Sequence, residues 1–140
     1  MRNSTTYIIR RDQQWLNKIW PQFHLHDKTN NEHRLSAKLT GNNASTTFII
    51  SHNKDDFNEN GPHYVGKVKA NFIGNIINVY GPGYNPTDHK TKNLPLRELL
   101  ATIEYETNFF GSTRPRNFIT YILKKGVSYY KNLEEGPVAG

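Results

Sequence analysis

Short apolar stretches, separated by turn-forming residues and with an internal period nearer two than 3.6, constrain this chain more than any other feature. A two-residue period sends alternate side chains to opposite faces of an extended backbone, so the pattern reads as mostly β. The candidate strands are Thr6–Arg10, Gln22–His26, Arg34–Leu39, Thr46–Ser51, Tyr64–Asn71, Ile76–Tyr80, Leu100–Thr107 and Asn117–Leu123. Between them lie Asn30-Asn31, Gly41-Asn42-Asn43, Asn60-Gly61-Pro62, Gly74-Asn75, the run Gly81 to Pro86, and Gly111 to Pro115. Each group supplies the positive or fixed φ that a reversing chain needs. Eight strands so joined suit hairpins and meanders in an antiparallel sandwich or barrel.

Residues Leu94–Thr107 resist a single assignment. Leu96, Leu99, Leu100 and Ile103 fall at helical spacing, whereas Leu99, Ala101, Ile103 and Tyr105 also alternate with Thr102, Glu104 and Glu106 as a strand would. The tail Lys124–Gly140 is weakly patterned and is expected to be partly frayed.

Composition narrows the function classes. The mean hydropathy of −0.77 is at the polar edge of globular chains, but aromatic residues at 12% supply a core and argue against disorder. No run approaches the roughly 18 to 20 apolar residues of a membrane-spanning helix. Residues 1–20 hold no apolar signal region, so an intracellular location is expected. Zero cysteines exclude disulfides, thiolate catalysis and Cys-based metal sites.

The side chains that could carry chemistry are scattered. His24 and His26 would share one face of a strand, with His33 past a turn, but such pairs are usually solvated, and neither a metal site nor a cofactor is expected. No serine occupies a Gly-x-Ser-x-Gly elbow, the paired carboxylates are local and hydrophilic, and Gly81-Pro82-Gly83 lacks the N–H groups of a phosphate loop. Two glycosylation-type sequons, Asn3-Ser4-Thr5 and Asn43-Ala44-Ser45, read as chance matches without a secretory route. An enzyme is therefore the weaker class.

The basic residues say more. Lys plus Arg number 18 against 12 Asp plus Glu, a formal charge of +6. Lys67 and Lys69 flank Val68, so on a strand their ammonium groups stand side by side, and they repel unless an anion lies between them. Arg114-Pro115-Arg116 repeats the arrangement, with guanidiniums that can fork onto phosphate oxygens. The plain alternative is that these charges serve solubility or blunt a sheet edge. The basic balance raises the other reading, an anionic partner, either nucleic acid or a lipid headgroup.

The segments Tyr64-Val65-Gly66-Lys67-Val68-Lys69-Ala70-Asn71-Phe72-Ile73-Gly74, Val79-Tyr80, Asn85-Pro86, Glu104-Tyr105-Glu106-Thr107-Asn108 to Gly111, and Arg114-Pro115-Arg116 resemble, in order and spacing, the Tubby family. Tyr7 to Asp12 and Pro21 to Leu25 are similar to its opening strands, so the resemblance runs from about Thr5 to Leu123, the N-terminal half of the Tubby C-terminal domain. The resemblance implies an antiparallel β-barrel around a hydrophobic helix, and argues that Leu100–Thr107 is a strand. It also implies a single partial domain over 1–140 with its core at about 5–123, an incomplete barrel whose later strands and central helix are missing. A fragment, a truncated product or a reduced paralogue would each look so.

The function implied is noncatalytic binding of phosphatidylinositol 4,5-bisphosphate at the cytoplasmic face of the plasma membrane. The family's two basic binding residues map to Lys67 and Lys69, the second normally being Arg. Its later arginine maps to Arg116, its upstream Asn to Thr47, and Arg114 stands where Gly is usual. The segment Ser36 to Ser45, basic in animal members, holds only Lys38 here, so general membrane attraction should be lower. An adaptor role in membrane or ciliary receptor trafficking, with a receptor as cargo, is the further expectation, at the membrane periphery, the cilium or the nucleus. The alternatives are a basic β-domain that binds nucleic acid through Tyr64, Tyr80 and Tyr84, or a nonfunctional remnant.

Overall fold

A computed structural model describes residues 4–14, 20–42, 45–85, 87, 95–106 and 117–123. Eight strands follow one another: β1 (Tyr7–Arg11), β2 (Gln22–Asp27), β3 (His33–Asn42), β4 (Ser45–Ser51), β5 (Tyr64–Ala70), β6 (Ile76–Tyr80), β7 (Leu99–Tyr105) and β8 (Phe118–Ile122). All lie in one sheet in chain order, each antiparallel to the strand before it. β1 and β8 each pair on one side only, so among the described residues the sheet does not close, as an incomplete barrel requires. No helix occurs among the described residues. The tail from 124 onward lies outside them.

Every expected strand forms, and most boundaries shift by one to three residues. The ambiguous segment resolves as β7 because its backbone pairs on both sides, Ile103 with Ile77 on β6 and with Thr120 on β8. Ala101, Ile103 and Tyr105 share a face as the strand pattern predicts. Leu99 does not join them: a bulge sets it opposite Tyr80, since two residues of β7 there face one of β6.

The register sorts the side chains into two faces. One carries three rows across the strands: His24, Ser36, Ser51 and Tyr64; then Gln22, Lys38, Ile49, Lys67 and Tyr80; then Thr40, Thr47, Lys69, Asn78 and Thr102. The other carries Phe23, Ala37 and Ile50; Leu39, Phe48, Val68, Val79 and Ala101; and Ala70, Ile77 and Ile103. Phe23 and Phe48 meet edge to face on this second, apolar side, their ring centroids 6.0 Å apart.

The β4–β5 connection folds back over the lysine face. Ser51 Oγ donates to the Asp56 carbonyl at 2.5 Å and accepts from the Asn53 N–H at 3.0 Å, and Lys38 Nζ lies 5.6 Å from the centre of the Phe57 ring. Ile49, 2% exposed, together with Ser36 and Ser51, is consequently the best-buried part of the sheet. A second local anchor is Asn71, whose side-chain oxygen accepts from the N–H groups of Gly74, Asn75 and Ile76 and so closes the β5–β6 turn.

Candidate anion-binding face

β5 is an interior strand, paired on both flanks, so its two lysines do not serve to blunt an edge. Lys67 and Lys69 stand about 7 Å apart along one face, as residues two apart on a strand do. Thr47 lies directly opposite Lys69 on β4, and Asn78 opposite it on β6. Thr102 Oγ1 donates to Asn78 Oδ1 at 2.8 Å, which holds that amide in place. Lys38 and Lys67 flank Ile49, so the same face carries three lysines.

At the Lys67 end the face opens into a cleft of about 550 Å³, whose walls include Glu59, Tyr64, Lys67, Tyr84, Asn85 and Arg97. A bulge in β5 brings Tyr64 there by placing it opposite Ser51 while Gly66 faces Ile50. Gly66 is required at this point, because a Cβ on it would stand 2.2 Å from the Tyr80 carbonyl oxygen. Across the cleft, Tyr84 N–H donates to the Pro95 carbonyl and Arg97 N–H to the Tyr84 carbonyl, both at 2.9 Å. Gly83, with φ 125°, permits that approach: a Cβ there would lie 2.6 Å from the Arg97 nitrogen. The clamp leaves the Arg97 guanidinium 4.3 Å above the Tyr80 ring.

The charges are unevenly matched. Lys67 Nζ meets Glu59 Oε2 at 2.5 Å, whereas Lys69 has no ion-pair partner among the described residues. The Tyr64 hydroxyl is buried without a hydrogen-bond partner among them. Burial pushes its pKa up to about 12; the Glu59 carboxylate adds to that rise and Arg97 opposes it. The phenol is thus a neutral donor at any physiological pH.

The histidines gather at the opposite end of the same face. His24 Nδ1 and His33 Nε2 each lie 2.7 Å from Ser36 Oγ, and the rings of His24, His26 and His33 are 5.5 to 6.5 Å apart. Burial, then the nearby His26, His24 and Lys54, lower the pKa of His33 below 6.5. Among the described residues no group of three or more His, Cys, Asp or Glu is arranged to hold a metal.

Of the residues singled out by sequence, the fold brings Lys67, Lys69 and Thr47 together. Arg114 and Arg116 lie outside the described residues. Sequence reasoning missed Arg97 and Glu59, which reach the site from loops, and treated Tyr64 only as a stacking surface. A hint was available in the flanking punctuation, since Gly81-Pro82-Gly83 and Pro95 mark segments that reverse next to the lysine strand.

A model described as the Tub family matches residues 2–134. Tubby-related protein 1 of Homo sapiens is 27% identical over 117 residues, which span 81% of this chain and 22% of that protein. Tubby-related protein 3 of Homo sapiens is 30% identical over 122 residues, 81% of this chain and 27% of that protein. Tubby protein homolog 1 of Caenorhabditis elegans is 29% identical over 115 residues, 77% and 27% respectively. The chain therefore spans about a quarter of the length of these curated relatives.

Proposed function

This chain belongs to the Tub family, and on that premise we propose that it is a noncatalytic module whose lysine face binds the phosphorylated headgroup of a phosphoinositide, phosphatidylinositol 4,5-bisphosphate first. The observation that carries this reading is the placing of Lys67 and Lys69 side by side on an interior strand, with Thr47 and Asn78 flanking Lys69. Two ammonium groups so held repel one another, and a multiply charged phosphate ligand relieves that repulsion while taking a hydrogen bond from each.

Arg97 and the Tyr64 phenol add two donors within reach of the same cleft. No bond is made or broken in this mechanism; affinity is electrostatic and geometric and falls with salt. Binding places the protein reversibly at the cytoplasmic leaflet, where Lys38 adds attraction to anionic lipid of about 1 kcal/mol. Recruitment of a membrane receptor as cargo would follow from that position. The nucleic-acid reading is weaker, because one face of the Tyr80 ring already carries Arg97.

Co-sedimentation with vesicles of equal total charge tests the reading. Preference for bisphosphate over monophosphate phosphoinositide and phosphatidylserine, lost in Lys67→Ala/Lys69→Ala, is the expected result. Equal binding to all three lipids would reduce the face to general electrostatics, and a preference for oligonucleotides over every vesicle would favour the nucleic-acid reading.

A further inference from the structure

The two lysines are not equivalent, and the difference lies in Glu59. Its carboxylate is delivered by the β4–β5 connection to Lys67 Nζ at 2.5 Å, where it supplies within the protein the anion that neighbouring lysines call for. The carboxylate faces solvent on its own side: the Glu59 side chain is 46% exposed, against 16% for Lys67. It can therefore swing into water while the ammonium group stays in the cleft. Beside the pair stand the Tyr64 hydroxyl, buried without a partner among the described residues, and the Arg97 guanidinium positioned by the Tyr84 clamp.

We propose that Glu59 is an internal competitor for the ligand, holding Lys67 in the free protein until a phosphate group displaces it and takes Lys67 together with the Tyr64 hydroxyl. The inference rests on the phosphoinositide reading and assigns regulation to that same site. An incoming phosphate monoester carries close to two negative charges, against one on Glu59, so the exchange favours it, whereas a like-charged carboxylate left in place would repel it. Glu59 thus sets a threshold, and removing it should tighten binding at Lys67 while leaving Lys69 untouched.

The experiment titrates the 140-residue chain with soluble inositol 1,4,5-trisphosphate, and in parallel with bisphosphate vesicles, in four forms: unmodified, Glu59→Gln, Lys67→Ala and the double variant. Glu59→Gln is expected to lower Kd by about three- to tenfold, on the scale of a partly exposed ion pair plus one removed repulsion. The gain is expected to vanish in the Lys67→Ala background. Unchanged or weaker binding by a folded Glu59→Gln, or the same gain without Lys67, overturns the inference while leaving the phosphoinositide reading intact. Failure of the unmodified chain and of Glu59→Gln to bind either probe, with both folded by circular dichroism, overturns the phosphoinositide reading and this inference with it. Glu59→Asp, which keeps the charge but shortens its reach, gives a smaller gain of the same sign and serves if the Gln variant does not fold.

Discussion

The two faces of the sheet invert the usual relation between polarity and burial. The face that bears lysines, serines and histidines contains Ile49 at 2% exposure and the fully buried Ser36 and Ser51, because the β4–β5 connection lies over it. On the face that bears Phe23, Leu39, Phe48, Val68, Ile77, Val79 and Ile103, those large apolar side chains are all only half-buried, and its flanks expose Ile9 at 69% and Ile122 at 78%. Site and apolar surface are therefore separable: the cleft is lined by β5 and by the β4–β5 and β6–β7 connections, with none of those large apolar side chains in its walls.

The largest expected effect tests that separation directly. Lys67→Ala/Lys69→Ala should weaken bisphosphate binding by about a hundredfold or more, the sum of two charge-assisted contacts of about 1.5 to 3 kcal/mol each. Val68→Ala, between them but pointing the other way, should leave the affinity within about twofold of the unmodified chain. Comparable losses from both, measured by vesicle binding, would show that the faces are coupled.

Next in size is a stability contrast, read by urea denaturation. Ile49→Ala should cost about 2 to 4 kcal/mol as a buried truncation. Ile77→Ala, on the half-exposed apolar face, should cost about 1 kcal/mol. Equal costs would mean that residues beyond those described, or a partner, cover the apolar face in solution. Smaller still, Gly83→Ala should cost about 1 to 3 kcal/mol through strain at its positive φ, and should weaken headgroup binding through displacement of Arg97.

The smallest effect is in pH. His33 has its pKa lowered in the folded chain, so as pH falls through 6.5 the unfolded chain takes up a proton that the folded one resists, and stability declines. A melting temperature lower at pH 5.5 than at pH 7.5, with a shallower difference in His33→Gln, is the expected result. Asp27 acts in a separate window: the Thr29 backbone N–H lowers its pKa below 3.8, and the stability it contributes above that value is lost as pH falls through the folded pKa.

Strand positions were legible because a two-residue period and its interrupting turns are local properties of the chain. The pairing of Lys67 with Lys69 was legible for the same reason, and Thr47 came from the family resemblance alone. Register and bulges were not legible, since whether Tyr64 or Val65 faces Ser51 depends on the backbone of both strands. The same limit misplaced Leu99, which the alternation grouped with Ala101 and the bulge moved opposite Tyr80. Arg97 and Glu59 were hidden because loops 15 or more residues apart from one another deliver them, and only the assembled sheet brings those loops to one strand.

The order of strands in space is their order along the chain. Each hydrogen-bonded neighbour is thus also the next segment to be synthesised, so pairing never waits for a distant partner and the entropy lost in closing each loop is small. Such a chain can zip up hairpin by hairpin as it leaves the ribosome, and β4, β5 and β6 can reach their mutual register before β8 has emerged.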